Sequence, residues 1–204
     1  MSFIDDLRKK GWLKNERIIE AFKAIKREDF VLKGEEGAAE IDSPLPIGFG
    51  QTISQPLVVA FMVELLDPQP GEKILDIGFG SGWTSTLLAY LVGEKGKVVA
   101  IEIILELFEF GKKNIAKYSF IKEGRVIPVC ADGSLGYKKE APFTKILASA
   151  SAEELPLPWK EQLEIGGKIV APLKQSIWLF EKEAKNKFKE TEYPGFIFVP
   201  LTKS

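Results

Sequence analysis

The chain has 204 residues, of which 45% are hydrophobic and 28% charged, and a formal net charge of -1. That balance suits a globular domain with a sizeable core and offers no global field to draw nucleic acid or an anionic membrane. There is no histidine and one cysteine, Cys130. Ser-His-Asp and Cys-His catalysis, histidine-ligated metals and an intramolecular disulfide are therefore excluded, and no metal site is expected.

Met1-Ser2-Phe3-Ile4-Asp5-Asp6 turns acidic early and lacks the apolar run of a signal peptide, and no later run is long enough to span a bilayer. The expected location is cytoplasmic. Residues 2–33 read as helices, with Leu7, Trp12, Leu13, Ile18, Ile19, Phe22 and Ile25 at roughly helical spacing. Asn15 is placed to cap the helix that follows it, while Lys9, Lys10, Arg17 and Lys23 read as a solvated face. Residues 34–51 read as a loop broken by Gly34, Gly37, Pro44, Pro46, Gly48 and Gly50, and held in place by Leu45, Ile47 and Phe49. A helix is predicted from Ser54 as N-cap, with Pro56 in its first turn and Asp67-Pro68-Gln69-Pro70-Gly71 ending it.

Strands and helices then alternate. Strands are predicted near 73–77, 97–102, 125–130, 144–149 and 167–172, and helices near 83–92, 104–117 and 155–164. Cys130, in the run Val126 to Ala131, reads as a buried strand residue. Two antiparallel strands, 176–181 and 196–200, are expected to close the chain, with Lys182 to Lys189 as a solvated hairpin tip. The predicted fold is α/β: a doubly wound, Rossmann-like mixed sheet with a helical N-terminal segment and antiparallel C-terminal strands.

The chemistry concentrates in Lys73-Ile74-Leu75-Asp76-Ile77-Gly78-Phe79-Gly80-Ser81-Gly82-Trp83. Ile74, Leu75 and Ile77 make a strand covered on both faces, and three glycines let the backbone turn and lie against a ligand. Ser81, Thr84 and Ser85 offer capping hydroxyls to the next helix. The spacing is G-x-G-x-G, with Trp83 where a dinucleotide fingerprint has its third glycine, and there is no Walker Gly-Lys-Ser/Thr. Asp76 before the turn suits an amine-bearing ligand better than a pyrophosphate. Glu102 ends the next apolar run, about 20 residues past the glycines, where an acid accepts from ribose hydroxyls. This D-x-G-x-G-x-G pattern followed by a strand ending in Glu resembles the class I methyltransferases, which bind S-adenosylmethionine.

A more specific segment lies just upstream. Pro44-Leu45-Pro46-Ile47-Gly48-Phe49-Gly50-Gln51-Thr52-Ile53-Ser54-Gln55-Pro56 resembles the signature of the protein-L-isoaspartate O-methyltransferases. The resemblance continues through Glu102, Glu106, Leu107 and Asn114, through Ala131-Asp132-Gly133-Ser134-Leu135-Gly136-Tyr137, and through Leu163 to Pro172 and Phe198 to Leu201. It implies a single methyltransferase domain over 1–204, with helices and a substrate loop in 1–53 and a cofactor core in 54–204. It implies methylation of the isoaspartyl carboxylate of damaged proteins, by S-adenosylmethionine, which leaves as S-adenosylhomocysteine. The ester would close to a succinimide whose hydrolysis restores some normal aspartate.

By that resemblance Asp76, Gly78, Gly80, Ser81, Gly82, Glu102, Ile103, Asp132 and Gly133 would hold the cofactor. Asp76 would reach its amino group through backbone or water, Glu102 its ribose, and Asp132 and Gly133 its adenine edge. Gln51, Thr52, Ile53 and Ser54 would meet the substrate, with Thr52 and Ser54 orienting its carboxylate. A monomer acting on damaged proteins or peptides, without nucleic acid or membrane, is expected. A carboxylate is already ionised near neutral pH, so the absence of histidine suits this reaction.

The sequence departs from the family pattern at Leu32, Ala39, Leu57, Thr144-Lys145 and Ser149-Ala150-Ser151-Ala152-Glu153, which border the substrate side in the family. Two alternatives stay open on sequence alone. One is a methyltransferase for another acceptor, a specialised peptide carboxylate or a tRNA base; the other is a non-catalytic S-adenosylmethionine-binding protein.

Overall fold

A computed structural model describes residues 2–202. Its helices are α1 (Phe3–Lys9), α2 (Glu16–Ala24), α3 (Pro56–Leu66), α4 (Trp83–Val92), α5 (Leu105–Ala116) and α6 (Leu157–Gln162). A small hairpin pairs β1 (Leu45–Gly48) with β2 (Gln51–Ile53). The main sheet contains β3 (Lys73–Ile77), β4 (Lys97–Glu102), β5 (Val126–Cys130), β6 (Phe143–Ala148), β7 (Leu163–Leu173), β8 (Ser176–Ala184) and β9 (Lys187–Pro194). Their order is β5-β4-β3-β6-β7-β8-β9. The first five of these run parallel, and β8 and β9 join antiparallel at one edge, as the alternation and the closing apolar runs predict.

The order reverses at β3. That strand leads through α4 to β4 on one side, yet on its other side it pairs with β6, much later in the chain. Helices leaving the sheet in opposite directions open a crevice at the carboxyl ends of the strands, and the glycine turn sits there. Both sheet faces are apolar because alternate residues feed two cores. Ile74, Val98, Ala100, Leu147 and Val170 pack under α1 to α5. Leu75, Ile77, Val99, Ile101, Ile146 and Ile169 pack with Trp159 and Leu163 on the other face. Continuous apolar strands are the signature of a sheet covered on both sides.

The N-terminal helices belong to the first core. Asn15 caps α2 as expected, its side chain accepting from the Arg17 N–H. Phe3 and Phe22 meet Trp83 edge to face, with ring centroids 6.2 and 5.6 Å away. Trp83 is 1% exposed. The residue that stands in place of a third fingerprint glycine is thus the anchor on which the helical N-terminal segment is built, worth several kcal/mol of burial, about 1.5–3 per large apolar side chain.

Five sequence expectations are corrected. Residues 45–53 form a hairpin rather than loop, because Phe49 and Gly50 both take positive φ (55° and 72°) and make a two-residue turn that brings Gly48 opposite Gln51. Gln55, not Ser54, occupies the N-cap of α3, and the Asp42 carboxylate, 15 residues upstream, accepts from the Leu57 N–H at 2.9 Å. Cys130 is exposed, since it is the last residue of an edge strand. The terminal hairpin is β8–β9 around Lys185 and Asn186, so 196–200 is not its second strand. That segment instead runs back across the carboxyl end of the sheet, where the Ser151 N–H donates to the Val199 carbonyl and the Leu201 N–H to the Ser151 carbonyl, both at 2.8 Å. The helix expected over 155–164 is shorter, because Leu163 already pairs with Phe143 in β7.

Lys182 is a further departure. It is not part of a solvated tip but 6% exposed, and its Nζ donates to the carbonyls of Lys160 and Leu163, both at 2.6 Å. A cation here satisfies carbonyls left over at the end of α6. Lys182→Ala is expected to lower stability by about 1–3 kcal/mol, the cost of leaving buried acceptors without a donor. The shift of the urea unfolding midpoint measures it.

Candidate active site

The crevice at the switch point is a cavity with three walls. The floor is the glycine turn: Gly78, Phe79, Gly80 and Ser81 line it after Ile77. One side is the end of β4 and the start of α5, with Ile101, Glu102, Ile103, Ile104 and Leu107. The roof is the β1–β2 hairpin with Ile47, Gln51, Thr52, Ile53 and Ser54, joined by Val199 to Thr202 of the returning tail.

The floor is held by backbone-directed contacts. Glu102 is 6% exposed and accepts three N–H bonds: from Gly80 at 2.9 Å, and from Ile103 and Ile104 at 2.8 and 3.0 Å. A carboxylate offers about four lone-pair positions, so one remains for a ligand hydroxyl. From below, α5 presses directly on the turn. A Cβ on Gly111 would stand 2.3 Å from the Gly80 carbonyl oxygen, and one on Gly82 would stand 2.8 Å from the Gly111 carbonyl oxygen. Buried Asn114 donates to the Ser81 carbonyl at 3.1 Å. Gly111 and Asn114 are functional residues that sequence reasoning gave no role. An isolated glycine within a helical pattern was the available signal for the first.

Asp76 and Asp132 are not among the residues that line the cavity. Asp76 faces α4, is fully buried, and accepts from the Ser85 hydroxyl at 2.5 Å, with its second oxygen unpartnered. Ser85 therefore spends its hydroxyl on Asp76 rather than on capping α4, whose N-cap is Gly82 at φ 88°. Burial, the largest cause, pushes the Asp76 carboxyl up to about 7; the Ser85 hydroxyl opposes this and the Glu102 charge adds to it. Asp132 accepts from the Ser134 N–H at 2.8 Å and so shapes the turn that brings Gly133 to the cavity wall. A Cβ on Gly133 would stand 2.5 Å from the Ile77 side chain, so only glycine lets this turn come so close to the strand.

The roof is held by Arg27, which the sequence reading passed over. Arg27 follows α2, is 2% exposed, and sends four hydrogen bonds to carbonyls. Nη1 donates to Ala39 and Ile41 at 3.0 and 3.3 Å, and Nη2 to Ser43 and Ser54 at 2.8 and 3.2 Å. Its guanidinium lies 5.4 Å from the centre of the Trp83 ring. The clasp joins chain before the hairpin to chain after it and rests on the first residue of α4. Burial, the largest cause, lowers the Arg27 pKa to about 10, against the raising effect of Asp42 and Glu40, so it stays charged at neutral pH. Ile47 completes the roof: a Cβ on Gly80 would stand 3.2 Å from its Cδ1.

A second cleft adjoins the cavity, lined by Pro44, Gln55, Val58, Ile197 and Phe198 and sharing part of its wall. The site thus pairs a cavity floored by glycine backbone and a carboxylate with an open cleft, and brings hydroxyls rather than a general base to the passage between them.

The family model described as protein-L-isoaspartate(D-aspartate) O-methyltransferase matches residues 1–204. A Methanopyrus kandleri protein-L-isoaspartate O-methyltransferase is 40% identical over 202 residues, covering 97% of this chain and 88% of its own. An Aeropyrum pernix protein of the same description is 42% identical over 205 residues, covering 98% and 78%. Among solved structures, a Plasmodium falciparum protein provisionally assigned to the same activity, in complex with S-adenosyl-L-homocysteine, superposes with a TM-score of 0.88. It covers 98% of this chain and 97% of its own at 21% identity, a likeness of fold.

Two outcomes follow from this geometry. Arg27→Met leaves four carbonyls without their donor, so stability is expected to fall by about 3–5 kcal/mol. Limited proteolysis within 34–54 should quicken at the same time; an unchanged cleavage rate there would contradict the clasp. The second concerns pH. A carboxyl raised from about 4 in the unfolded chain to about 7 in the folded one binds its proton more tightly when folded. Its contribution is fully present below pH 4 and is lost as pH rises through 7, a fall of about 3–4 kcal/mol. Asp76→Asn should flatten the stability curve across that window and leave the variant the more stable protein at pH 8, as urea unfolding at stepped pH would read.

Proposed function

Because the chain belongs to the protein-L-isoaspartate(D-aspartate) O-methyltransferase family, we propose that it transfers a methyl group from S-adenosylmethionine to the isoaspartyl carboxylate of damaged proteins, as a repair step. The observation that carries this reading is the roof: the hairpin Leu45–Ile53, with Thr52 and Ser54, stands directly over the glycine turn and opens to a cleft.

The residues present fit the cofactor. Gly78 and Gly80 bring bare backbone to the cavity, Glu102 keeps one acceptor position for a ribose hydroxyl, and Ile77, Ile101, Ile103 and Leu107 offer apolar wall beside Gly133 for an adenine. Ser81 also lines the cavity, whereas Gly82 acts as the α4 N-cap that lets α5 close on the turn. Asp76 acts through Ser85 and the turn's backbone rather than by touching the ligand. Asp132 sets the Gly133 turn.

When bound, S-adenosylmethionine supplies a methyl group on a cationic sulfur. The chain's own task is then to present an ionised carboxylate in line and to keep water away. An acceptor already charged at neutral pH needs no base, and orientation alone is worth about 7–11 kcal/mol when geometry is good. Thr52 and Ser54 are the hydroxyl donors that orient the carboxylate; Gln51 and Ile53 complete the roof. Among the described residues no helix is long and apolar enough to cross a membrane. We place the enzyme in the cytoplasm as a monomeric single domain acting on proteins and peptides, a reading supported by its balanced charge and one cysteine.

Methyl transfer to paired peptides tests the reading. Labelled S-adenosylmethionine should give base-labile label on a peptide with isoaspartate, and none on its twin with normal aspartate. Label on both, or on neither, would reject the assignment of acceptor.

A further inference from the structure

Four residues line both the cofactor cavity and the adjoining cleft: Thr52, Ser54, Ser149 and Val199. A group that reaches from the cleft toward the cofactor must pass between them. Three of the four carry hydroxyls, and none of those hydroxyls has a hydrogen-bond partner within the protein among the described residues. Polar side chains at a passage, left without internal partners, are free to serve a ligand.

The three hydroxyls come from different parts of the fold. Thr52 and Ser54 arrive on the hairpin side, in chain held by Arg27. Ser149 arrives from the sheet, as the first residue past β6. Its N–H donates to the Ile77 carbonyl at 2.9 Å, and the next residue, Ala150, places its Cβ 3.7 Å from where a Cβ on Gly78 would stand. Its position relative to the glycine turn is therefore set by the same parallel pairing that sets β3 against β6.

We propose that Ser149 is a third donor to the acceptor carboxylate, contacting it from the sheet side while Thr52 and Ser54 contact it from the hairpin. The proposal rests on the reading under Proposed function and extends it. A carboxylate has about four lone-pair positions, so three hydroxyl donors fix its plane and leave one position for attack on the methyl group. Two donors on the hairpin side alone leave the carboxylate free to swing about them; a donor fixed to the sheet removes that freedom. Ser149 is thus the residue that refers the acceptor to the cofactor side, and it acts by direct contact with substrate.

The test uses Ser149→Ala and Ser149→Thr. Wild type is assayed first on the isoaspartyl peptide: no methyl transfer would reject the reading under Proposed function, and this extension with it, before any substitution is examined. With wild type active, Ser149→Ala should lower kcat/KM for that peptide by roughly tenfold to a hundredfold, the range for one hydrogen bond to a charged group. Binding of the same peptide to enzyme saturated with S-adenosylhomocysteine, read by calorimetry without turnover, should weaken as well. The dissociation constant for S-adenosylmethionine should hold, and Ser149→Thr, which keeps a hydroxyl, should recover most of the loss. Unchanged peptide kinetics in the alanine variant would overturn the proposal. So would weakened cofactor binding with peptide binding intact, because Ser149 would then only line the cofactor cavity.

Discussion

The roof of the cavity hangs on how one buried guanidinium meets four carbonyls. The chain from Ala39 to Ser54 carries little core of its own: a two-stranded hairpin with no third strand is marginal in water. Arg27 supplies what the hairpin lacks. Its planar fork reaches carbonyls on both sides of the turn at once, which a lysine's point charge does not reproduce. Its stacking over Trp83 then ties that clasp to the helix that begins at the cofactor turn. The burial of a cation is costly, and it is offset here by four carbonyl acceptors on its two terminal nitrogens and by the ring face of Trp83, while Nε stays without an acceptor among the described residues.

The floor of the cavity is held by a different device. Glu102 gathers N–H groups from the glycine turn and from the start of α5, and α5 presses back through Gly111 and Asn114. These contacts lie within the parallel sheet and its first crossover helices, where packing is dense and motion small. One half of the site is therefore rigid by construction. The other is a hairpin kept in place from outside, by Arg27 and by the returning tail whose Phe196 stacks on Phe61 of α3. That division sets a fixed floor under a roof that is positioned by contacts from outside it.

What the sequence disclosed and what it hid follow the same division. Local patterns were legible: the glycine turn, the parallel strands, the Asn15 cap, the helix begun at Pro56, and the stretch Gln51 to Ser54, which lines the cavity as a unit. Long-range partners of charged residues were not. Arg27 and Lys182 look in sequence like any exposed cation, and only the fold shows that each terminates stranded carbonyls. Asp42 caps a helix 15 residues away, so the cap could not be read from the residue before Pro56. Apolar content misplaced the last strand: Phe196 stacks on Phe61 of α3 and the Val199 carbonyl accepts from the Ser151 N–H, with Ile197 between them exposed, while the true hairpin strand Lys187–Pro194 is a charged edge strand. Charges on such an edge oppose pairing with another chain.

The departures from the family pattern gain a physical reading from these contacts. Arg27 binds Ala39 through its carbonyl, and Asp42 binds Leu57 through its N–H, so a change of side chain at either position leaves the contact intact. Thr144 and Lys145 lie at the start of β6, the far end of the sheet from the cavity. There Thr144 donates to the Lys73 carbonyl at 3.0 Å and the buried Lys145 pairs with Glu72. Neither residue lines the cavity or the cleft. Of the departures, Ser149 is the one that lines both the cavity and the adjoining cleft. Backbone-mediated clasps thus let the sequence drift around the site without moving it, and the departing positions that line the cavity are Ser149 and Ala150, just past β6.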